Sequence, residues 1–267
     1  MRVWFELARR SFRRYSTYRA ATIGGLVPNV AFGYLRASVL LAVVTQAGGV
    51  GPFDGADVVT YSFATQALIV PIAIFGGGGS SIDLPERIRS GDVVVDLYRP
   101  LDFQAYWLAQ DLGRALQGLL FRGVAAFCAG FLAFDLVVPS TVGAVAASAL
   151  ALLLAVLVSF AFRYLVALSG FWTLDERGVA MVAGVVALFL SGFLVPIAFM
   201  PGWLQAVAAA SPFPAMVQLP VDVFLGHETG SGVAAVFATQ LAWLAVLVVA
   251  GRALGSLAVR RVVVQGG

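Results

Sequence analysis

The sequence predicts an all-α integral membrane protein with six membrane-spanning helices. Composition gives the first reason: 60% of the 267 residues are hydrophobic and only 12% are charged. A water-soluble domain with a mean hydropathy of +0.93 would be hard to keep in solution. Long apolar runs and an uneven distribution of arginine between their connections give the second and third reasons.

Apolar runs long enough to cross a bilayer recur along the chain. A hydrocarbon core of ~30 Å needs about 20 helical residues. The runs cover residues 20–45, 58–77, 116–137, 142–170, 178–199 and 232–256. Barrel strands are shorter and alternate in hydrophobicity, so these runs predict helices. The first run is too long for the apolar region of a secretory signal, so we expect it to be retained.

Arginine marks one side of the predicted membrane. All 17 basic residues are arginines. The connections that contain none are 46–57, 138–141 and 200–231. Most arginines lie in the N-terminal segment, in 78–115, in 171–177 and after Gly251. Because positively charged connections face the cytoplasm, both termini are predicted to be cytoplasmic.

The charge and cysteine content narrow the functional classes. The net charge of +3 does not form one basic face, so anionic inner-leaflet lipid is a more suitable partner than nucleic acid. Without lysine the chain has no phosphate-binding P-loop and no Schiff-base residue. The single Cys128 permits no internal disulfide and no cysteine-rich metal site. Neither a cofactor nor a metal is expected in this chain.

The N-terminal segment 1–19 is predicted to be an amphipathic helix in the plane of the inner leaflet. At about 100° per residue, aromatic residues gather on one face and charges on the other. The apolar face comprises Trp4, Phe5, Ala8, Phe12, Tyr15 and Tyr18, and the polar face comprises Arg2, Glu6, Arg9, Arg10 and Arg13. The alternative is a basic flank that only orients the first span, although such a flank needs no phased aromatics.

Two connections are predicted to be structured. The cytoplasmic segment 78–115 mixes acids and arginines without a metal-ligand pattern, and Pro85, Gly91 and Pro100 divide it into short helices. A solvated loop is the alternative, but the apolar residues 93–95 need a packing partner. The outer connection 200–231 is apolar and rich in proline, which predicts two short helices at the outer leaflet.

These features resemble the membrane subunit of a type-2 ABC exporter over essentially the whole chain. The most specific part is SGDVVVDLYRPLDFQ at 90–104, which is similar to the pattern I-x-S/T-G-x-x-x-x-x-L-x-R/K-P of a bacterial subgroup. The Pro-rich stretch 200–226 is similar to the paired external helices before the last span. The resemblance implies a single permease domain over 1–267, divided into 1–19, 20–77, 78–115, 116–199, 200–231 and 232–267.

The resemblance also implies partners and a location. It implies export of an amphipathic or hydrophobic substrate (drug, lipid-like or peptide) across the bacterial inner membrane. ATP and Mg would be bound by a separate dimeric nucleotide-binding ATPase. A second permease subunit, identical or paralogous, would complete the path. The residues expected to couple to the ATPase are Glu86, Arg87, Asp92, Asp96, Arg99, Pro100 and Asp102, together with the N-terminal helix. Salt bridges within the loop are their alternative role.

Charged residues inside spans are further candidates. Arg36 lies well inside the first span, where it lines the translocation path, snorkels outward or pairs with Asp135. Arg122 and Arg163 are expected to anchor at headgroups. The lone His227, with no metal-ligand spacing, is expected to be incidental. The glycines at 76–79 suggest a hinge or a plain helix end.

Three other classes compete with the exporter. A membrane-embedded enzyme would need carboxylates, His or Cys converging within the spans, which offer almost no acids. A secondary transporter or channel working without an ATPase would normally show mid-membrane carboxylates or an internal repeat. A structural scaffold is the third. A P-loop ATPase partner would separate the exporter from all three.

Overall fold

The computed structural model describes residues 2–17, 19–73, 82–173 and 175–260, and helices dominate them. The suggested hinge at 76–79 lies outside these residues. The helices are α1 (Arg2–Thr17), α2 (Arg19–Ala47), α3 (Gly55–Ile72), α4 (Leu84–Ser90), α5 (Val93–Leu97), α6 (Phe103–Gly118), α7 (Val124–Gly130), α8 (Val142–Leu168), α9 (Gly170–Thr173), α10 (Arg177–Leu190), α11 (Gly202–Ala209), α12 (Gln218–Leu225) and α13 (Ser231–Val259). The predicted all-α class is confirmed.

Three stretches of helix in the described chain are long and apolar enough to cross a membrane. They are Thr22–Ala47, Val142–Thr173 and Ser231–Val259, and Arg177–Leu190 is a shorter apolar helix. These lengths and compositions support a membrane protein. Two of them, α8 and α13, pack along each other, and α12 lies against α8.

Helix α3 lies at the centre of the fold, and twelve of its 18 residues are buried. Its N-terminus is closed by a capping box, in which the Asp57 backbone N–H donates to Asp54 Oδ1 at 2.8 Å. Its C-terminus ends at Ala73, which adopts the left-handed conformation with φ of 51°. The helix therefore ends at Ile72, before the predicted limit at residue 77.

The third apolar run belongs to a longer helical unit than its hydropathy predicts. A π-helical segment, Leu119–Gly123, joins α6 to α7, so the unit runs from Phe103 to Gly130. A Cβ at Gly123 would lie 2.7 Å from the carbonyl oxygen of Ala67 in α3, and one at Gly118 would collide with Val70. These glycines let the π-helical segment approach α3 closely. This helical unit differs from the predicted apolar run 116–137 at both ends: it begins earlier, among polar residues that the fold buries, and it ends earlier, at Gly130.

The fifth apolar run also departs from a continuous helix. Helix α10 ends at Leu190 rather than at residue 199. Gly192 has φ of +83°, and a Cβ there would lie 2.5 Å from Gln218 Oε1. Pro196 then precedes a short 3₁₀ turn, Ile197–Phe199. The turn after α10 is buried at Ser191 and Phe193, so its non-helical backbone is surrounded by protein.

Candidate functional site

The motif-bearing segment after α3 folds into two short helices with a buried inner face. Gly91 ends α4 with φ of +80°, a conformation that glycine adopts without strain. Val93 is then only 3% exposed and packs with Leu84, Trp107 and Leu168. The apolar residues of the motif thus have the packing partner that the sequence requires.

Asp96 is the ionic centre of this segment. Its carboxylate is buried and accepts a hydrogen bond from Arg87 Nε. The same carboxylate lies 3.4 Å from an Arg99 guanidinium nitrogen. A second nitrogen of Arg87 donates to the carbonyl oxygen of Asp92 at 3.1 Å. Arg99 donates to the Tyr106 hydroxyl at 2.6 Å and stacks over that ring. Salt bridging within the loop, left open by the sequence, is the arrangement found for these residues.

The remaining predicted coupling residues divide between structural and exposed positions. Asp102 caps α6 by accepting the Ala105 backbone N–H at 2.8 Å, and Pro100 lies two residues before this cap. Glu86 pairs with Arg89 but leaves 73% of its side chain exposed. Val95 on α5 is 57% exposed, and Tyr98, which directly follows α5, is 81% exposed. Tyr98 is not among the residues predicted for coupling, although it lies inside the motif at 90–104.

Helix α1 packs lengthwise on α6. Ser11 is buried, and its hydroxyl donates to the Gln110 carbonyl oxygen at 2.6 Å. A Cβ at Gly113 would collide with the carbonyl oxygen of Ala8, so the two backbones are in close contact. Arg14 reaches Asp83 at 2.5 Å and links α1 to the start of α4. The N-terminal helix is therefore fixed to the motif-bearing segment.

Part of the predicted apolar face of α1 packs against the protein, and part of it is exposed. Trp4 and Phe12 are half-buried, and the ring of Phe12 lies 6.2 Å from that of Phe121. Phe5 is 72% exposed. The basic residues predicted for this helix, Arg9, Arg10 and Arg13, are also exposed. Part of the aromatic face is therefore used for packing on the α6 unit.

We predict that Gly113→Ala loosens α1 from α6, because the added methyl group would collide with the α1 backbone. Overpacking of this kind costs about 1–3 kcal/mol. Faster tryptic cleavage of the arginine-rich N-terminal helix in the purified protein would report the loosening. Gly24→Ala is the matched control, since a Cβ at Gly24 meets nothing within 4 Å. Cleavage of Gly113→Ala at the wild-type rate would contradict the close packing.

A buried ionic cluster connects α6 with α8. Asp111, Arg114 and Arg163 are 4%, 6% and 5% exposed. The guanidinium nitrogens of Arg163 lie 3.1 and 2.7 Å from the two Asp111 carboxylate oxygens. Arg114 Nε donates to Asp111 Oδ1 at 2.8 Å. One carboxylate thus compensates two buried cations.

The same cluster holds the end of α3. Arg114 donates to the carbonyl oxygens of Val70 at 2.5 Å and Pro71 at 3.1 Å. The Ser159 hydroxyl donates to the carbonyl oxygen of Ile72 and also accepts Arg163 Nε at 3.2 Å. These carbonyls belong to the last turn of α3, which lacks intrahelical donors. Helices α3, α6 and α8 are therefore tied together where α3 ends.

The prediction that Arg163 anchors at headgroups is wrong, and Arg122 has a partner within the protein. Arg163 is enclosed with Asp111, because a carboxylate contributed by α6 makes burial of that cation tolerable. Arg122 is half-buried and donates to the Gly25 carbonyl oxygen at 2.8 Å, so it binds the α2 backbone.

Arg36 is a second buried cation, and it faces backbone oxygens. It is 5% exposed and donates to the carbonyl oxygens of Phe193 at 2.5 Å and Ser62 at 3.3 Å. The hydroxyl oxygen of Thr65 is a further contact, and the guanidinium lies over the Phe193 ring. Arg36 thus joins α2, α3 and the turn after α10 rather than pairing with Asp135. Its place on a translocation path stays a prediction.

An apolar cleft of about 330 Å³ lies between α7 and α8, with α3 and α12 behind it. Its lining residues are Ala64, Ala67, Leu68, Leu119, Gly123, Val124, Phe127, Pro139, Val145, Ser148, Ala149, Leu152, Pro220, Val221 and Phe224. The hydroxyl of Ser148 donates to the Ala144 carbonyl oxygen at 2.8 Å. The cleft therefore suits hydrocarbon rather than a polar group.

Long apolar helices, buried cations and an ordered segment on the arginine-rich side are the features of a membrane-embedded protein. Residues 32–266 match the family model described as ABC-2 family transporter protein, and the chain belongs to this family. The predicted resemblance to a type-2 ABC permease is confirmed. A comparison with curated proteins gives no match. Members of the family are transmembrane components of ABC-type transporters, generally not catalytic themselves, and work with an ATP-binding subunit.

Proposed function

We propose that this chain is the permease subunit of an ATP-driven exporter. It would move an amphipathic or hydrophobic substrate outward across the bacterial inner membrane. A dimeric nucleotide-binding subunit would bind ATP and Mg and hydrolyse the nucleotide. A second permease copy, identical or paralogous, would enclose the path with it. The outward direction rests on the resemblance to type-2 ABC exporters.

The proposed topology has six spans with both termini in the cytoplasm. The spans are α2, α3, the α6–α7 unit, α8, α10 and α13. Helix α10 has 14 residues and covers about 21 Å at 1.5 Å per residue, so the buried turn after it would complete the crossing. The arginine-free connections would then lie outside, which agrees with the distribution of charge.

The observation that carries the proposal is the connection between the motif-bearing segment and the spans. Internal ion pairs around Asp96 make α4 and α5 a firm unit that leaves Val95 and Tyr98 exposed. The unit continues through α6 to the Asp111 cluster, which binds the end of α3 by hydrogen bonds and α8 by an ion pair. A push on α5 by a closing ATPase would therefore reach two spans through contiguous packed contacts.

The test is affinity purification of the tagged protein from native membranes in mild detergent, followed by identification of co-purifying chains and an ATPase assay. The proposal predicts recovery of a P-loop ATPase and hydrolysis that depends on it. An ATPase-free homomer would contradict it and favour a secondary transporter or channel. Export would be tested separately, by ATP-dependent accumulation of candidate amphiphiles in inverted vesicles.

A further inference from the structure

A chain of polar contacts reaches from the centre of α3 to the arginine-free side. The Tyr61 hydroxyl lies 2.6 Å from the Gly192 carbonyl oxygen and 2.7 Å from Gln218 Oε1. Gln218 Nε2 donates to Asp222 Oδ1 at 2.7 Å. The backbone N–H of Ile197 donates to the same Gln218 oxygen at 3.1 Å. Helix α12 is thus bound to α3 and to the turn after α10 by its side chains.

His227 ends this chain of contacts between two carboxylates. Its Nε2 lies 3.2 Å from Asp57 Oδ2, and its Nδ1 lies 3.8 Å from Asp222 Oδ1. The ring packs edge-on against Phe53 at 4.8 Å between centroids and is only 14% exposed. Asp57 belongs to the first turn of α3, whereas His227 follows the Gly226 cap of α12. One imidazole therefore lies between the ends of two helices.

The groups around His227 are acidic. Asp57 and Asp222 face the ring directly, Asp54 caps the same turn of α3 as Asp57, and Glu228 acts electrostatically on Asp222. The connections 46–57 and 200–231 contain no arginine that could neutralise them. A protonated imidazole would be the local counter-charge, and a neutral one would leave the carboxylates repelling each other.

We propose that His227 is a pH-sensitive latch that holds α12 to the first turn of α3 when protonated and releases it when neutral. The latch rests on contacts within this chain, and its exposure to external pH follows from the proposed topology. Release would free the N-terminal end of the central helix α3 on the side where substrate would leave. The contact between α12 and α3 on the outer side would thus respond to the pH outside the cell.

The direction of the pH effect follows from the two titrating partners. The Asp222 carboxylate raises the pKa of His227 above its ordinary value of 6.5, burial opposes this, and Asp57 adds to it. A raised pKa gives a stabilisation that is complete below pH 6.5 and is lost as pH rises through the raised value. Burial raises the pKa of Asp222, so stronger acid removes one carboxylate from the latch. The latch is strongest in mildly acidic medium.

The test measures accessibility of α12 in lipid nanodiscs. Leu225, 8% exposed at the end of α12, belongs to the same buried cluster as Val58 and Tyr61 of α3 and would be replaced as Leu225→Cys in a Cys128→Ser background. The rate of labelling by a charged maleimide is measured at pH 6 and at pH 8.5. At each pH it is divided by the labelling rate of a Val142→Cys protein, whose cysteine is at a position 89% exposed. This division removes the intrinsic effect of pH on the reagent. The His227→Gln and Asp57→Asn variants complete the set.

The expected result is a rise in relative labelling of about two- to fivefold from pH 6 to pH 8.5, the size that partly exposed ion pairs support. In His227→Gln the rise should disappear, and labelling at pH 6 should already be high. Asp57→Asn should reduce the rise independently and guards against misfolding of the first variant. Equal pH dependence in wild type and both variants, or no dependence in the wild type, would overturn the latch.

Discussion

Asp111→Asn is expected to destabilise the protein more than any other single substitution considered. It leaves Arg114 and Arg163 buried without the carboxylate that compensates both. Breaking a buried ion pair by removal of one partner costs about 3–5 kcal/mol. The loss would be measured as a lower midpoint of thermal unfolding in nanodiscs, together with a smaller folded yield.

Asp175→Asn is the matched control for this prediction. Asp175 faces Arg177 at 3.8 Å with 56% of its side chain exposed, so its loss should change stability by about 0–1 kcal/mol. Adding Arg163→Met to Asp111→Asn removes one uncompensated cation and should recover part of the stability. If the Asp111→Asn and Asp175→Asn proteins are equally stable, the Asp111 cluster does not hold α3, α6 and α8 together.

Tyr98→Ala, combined with Val95→Ala, is expected to weaken binding of the ATPase at least about tenfold, because exposed aromatics at the centre of an interface often dominate its affinity. Val95 lies on α5 and Tyr98 directly follows it, and both side chains are exposed. The fold should tolerate the change, since the segment is held by Asp96 rather than by these two residues. Co-purification of the ATPase at a series of salt concentrations would measure the loss.

Val182→Ala with Phe189→Ala is the matched control on α10. These residues are 65% and 52% exposed, but they lie on an apolar helix away from the motif-bearing segment. ATPase recovery should be unaffected by this pair. If both double variants recover the ATPase equally, α5 is not the docking element, even if the protein remains an ABC permease.

Features that are local in the chain could be predicted from its sequence. Apolar runs predict where α2, α8 and α13 lie to within a few residues, because hydrocarbon length dictates helix length. The motif at 90–104 places α5 and the start of α6, since Gly91 and Asp102 determine local helix ends. Prolines in 200–231 likewise predict short helices, and α11 and α12 are found there.

Features that depend on distant contacts could not be predicted in this way. Asp111 and Arg163 are 52 residues apart, and no spacing rule connects them. Hydropathy places the start of the third helix too late, because it counts polar residues of α6 as loop although the fold buries them. It also extends the fifth span through Gly192, where the chain turns to meet Gln218. His227 gains its significance from Asp57, which belongs to another helix.

Site-specific crosslinking in native membranes would show whether α5 faces an ATPase on the arginine-rich side. Tyr98→Cys and Val142→Cys, both highly exposed and at opposite ends of the proposed spans, would be compared in the Cys128→Ser background. If the ATPase docks at α5, a short thiol-to-amine crosslinker should join the Tyr98→Cys protein to a P-loop ATPase and leave the Val142→Cys protein unlinked. An ATPase that co-purifies but crosslinks only from the Val142 position, or from neither, would contradict it.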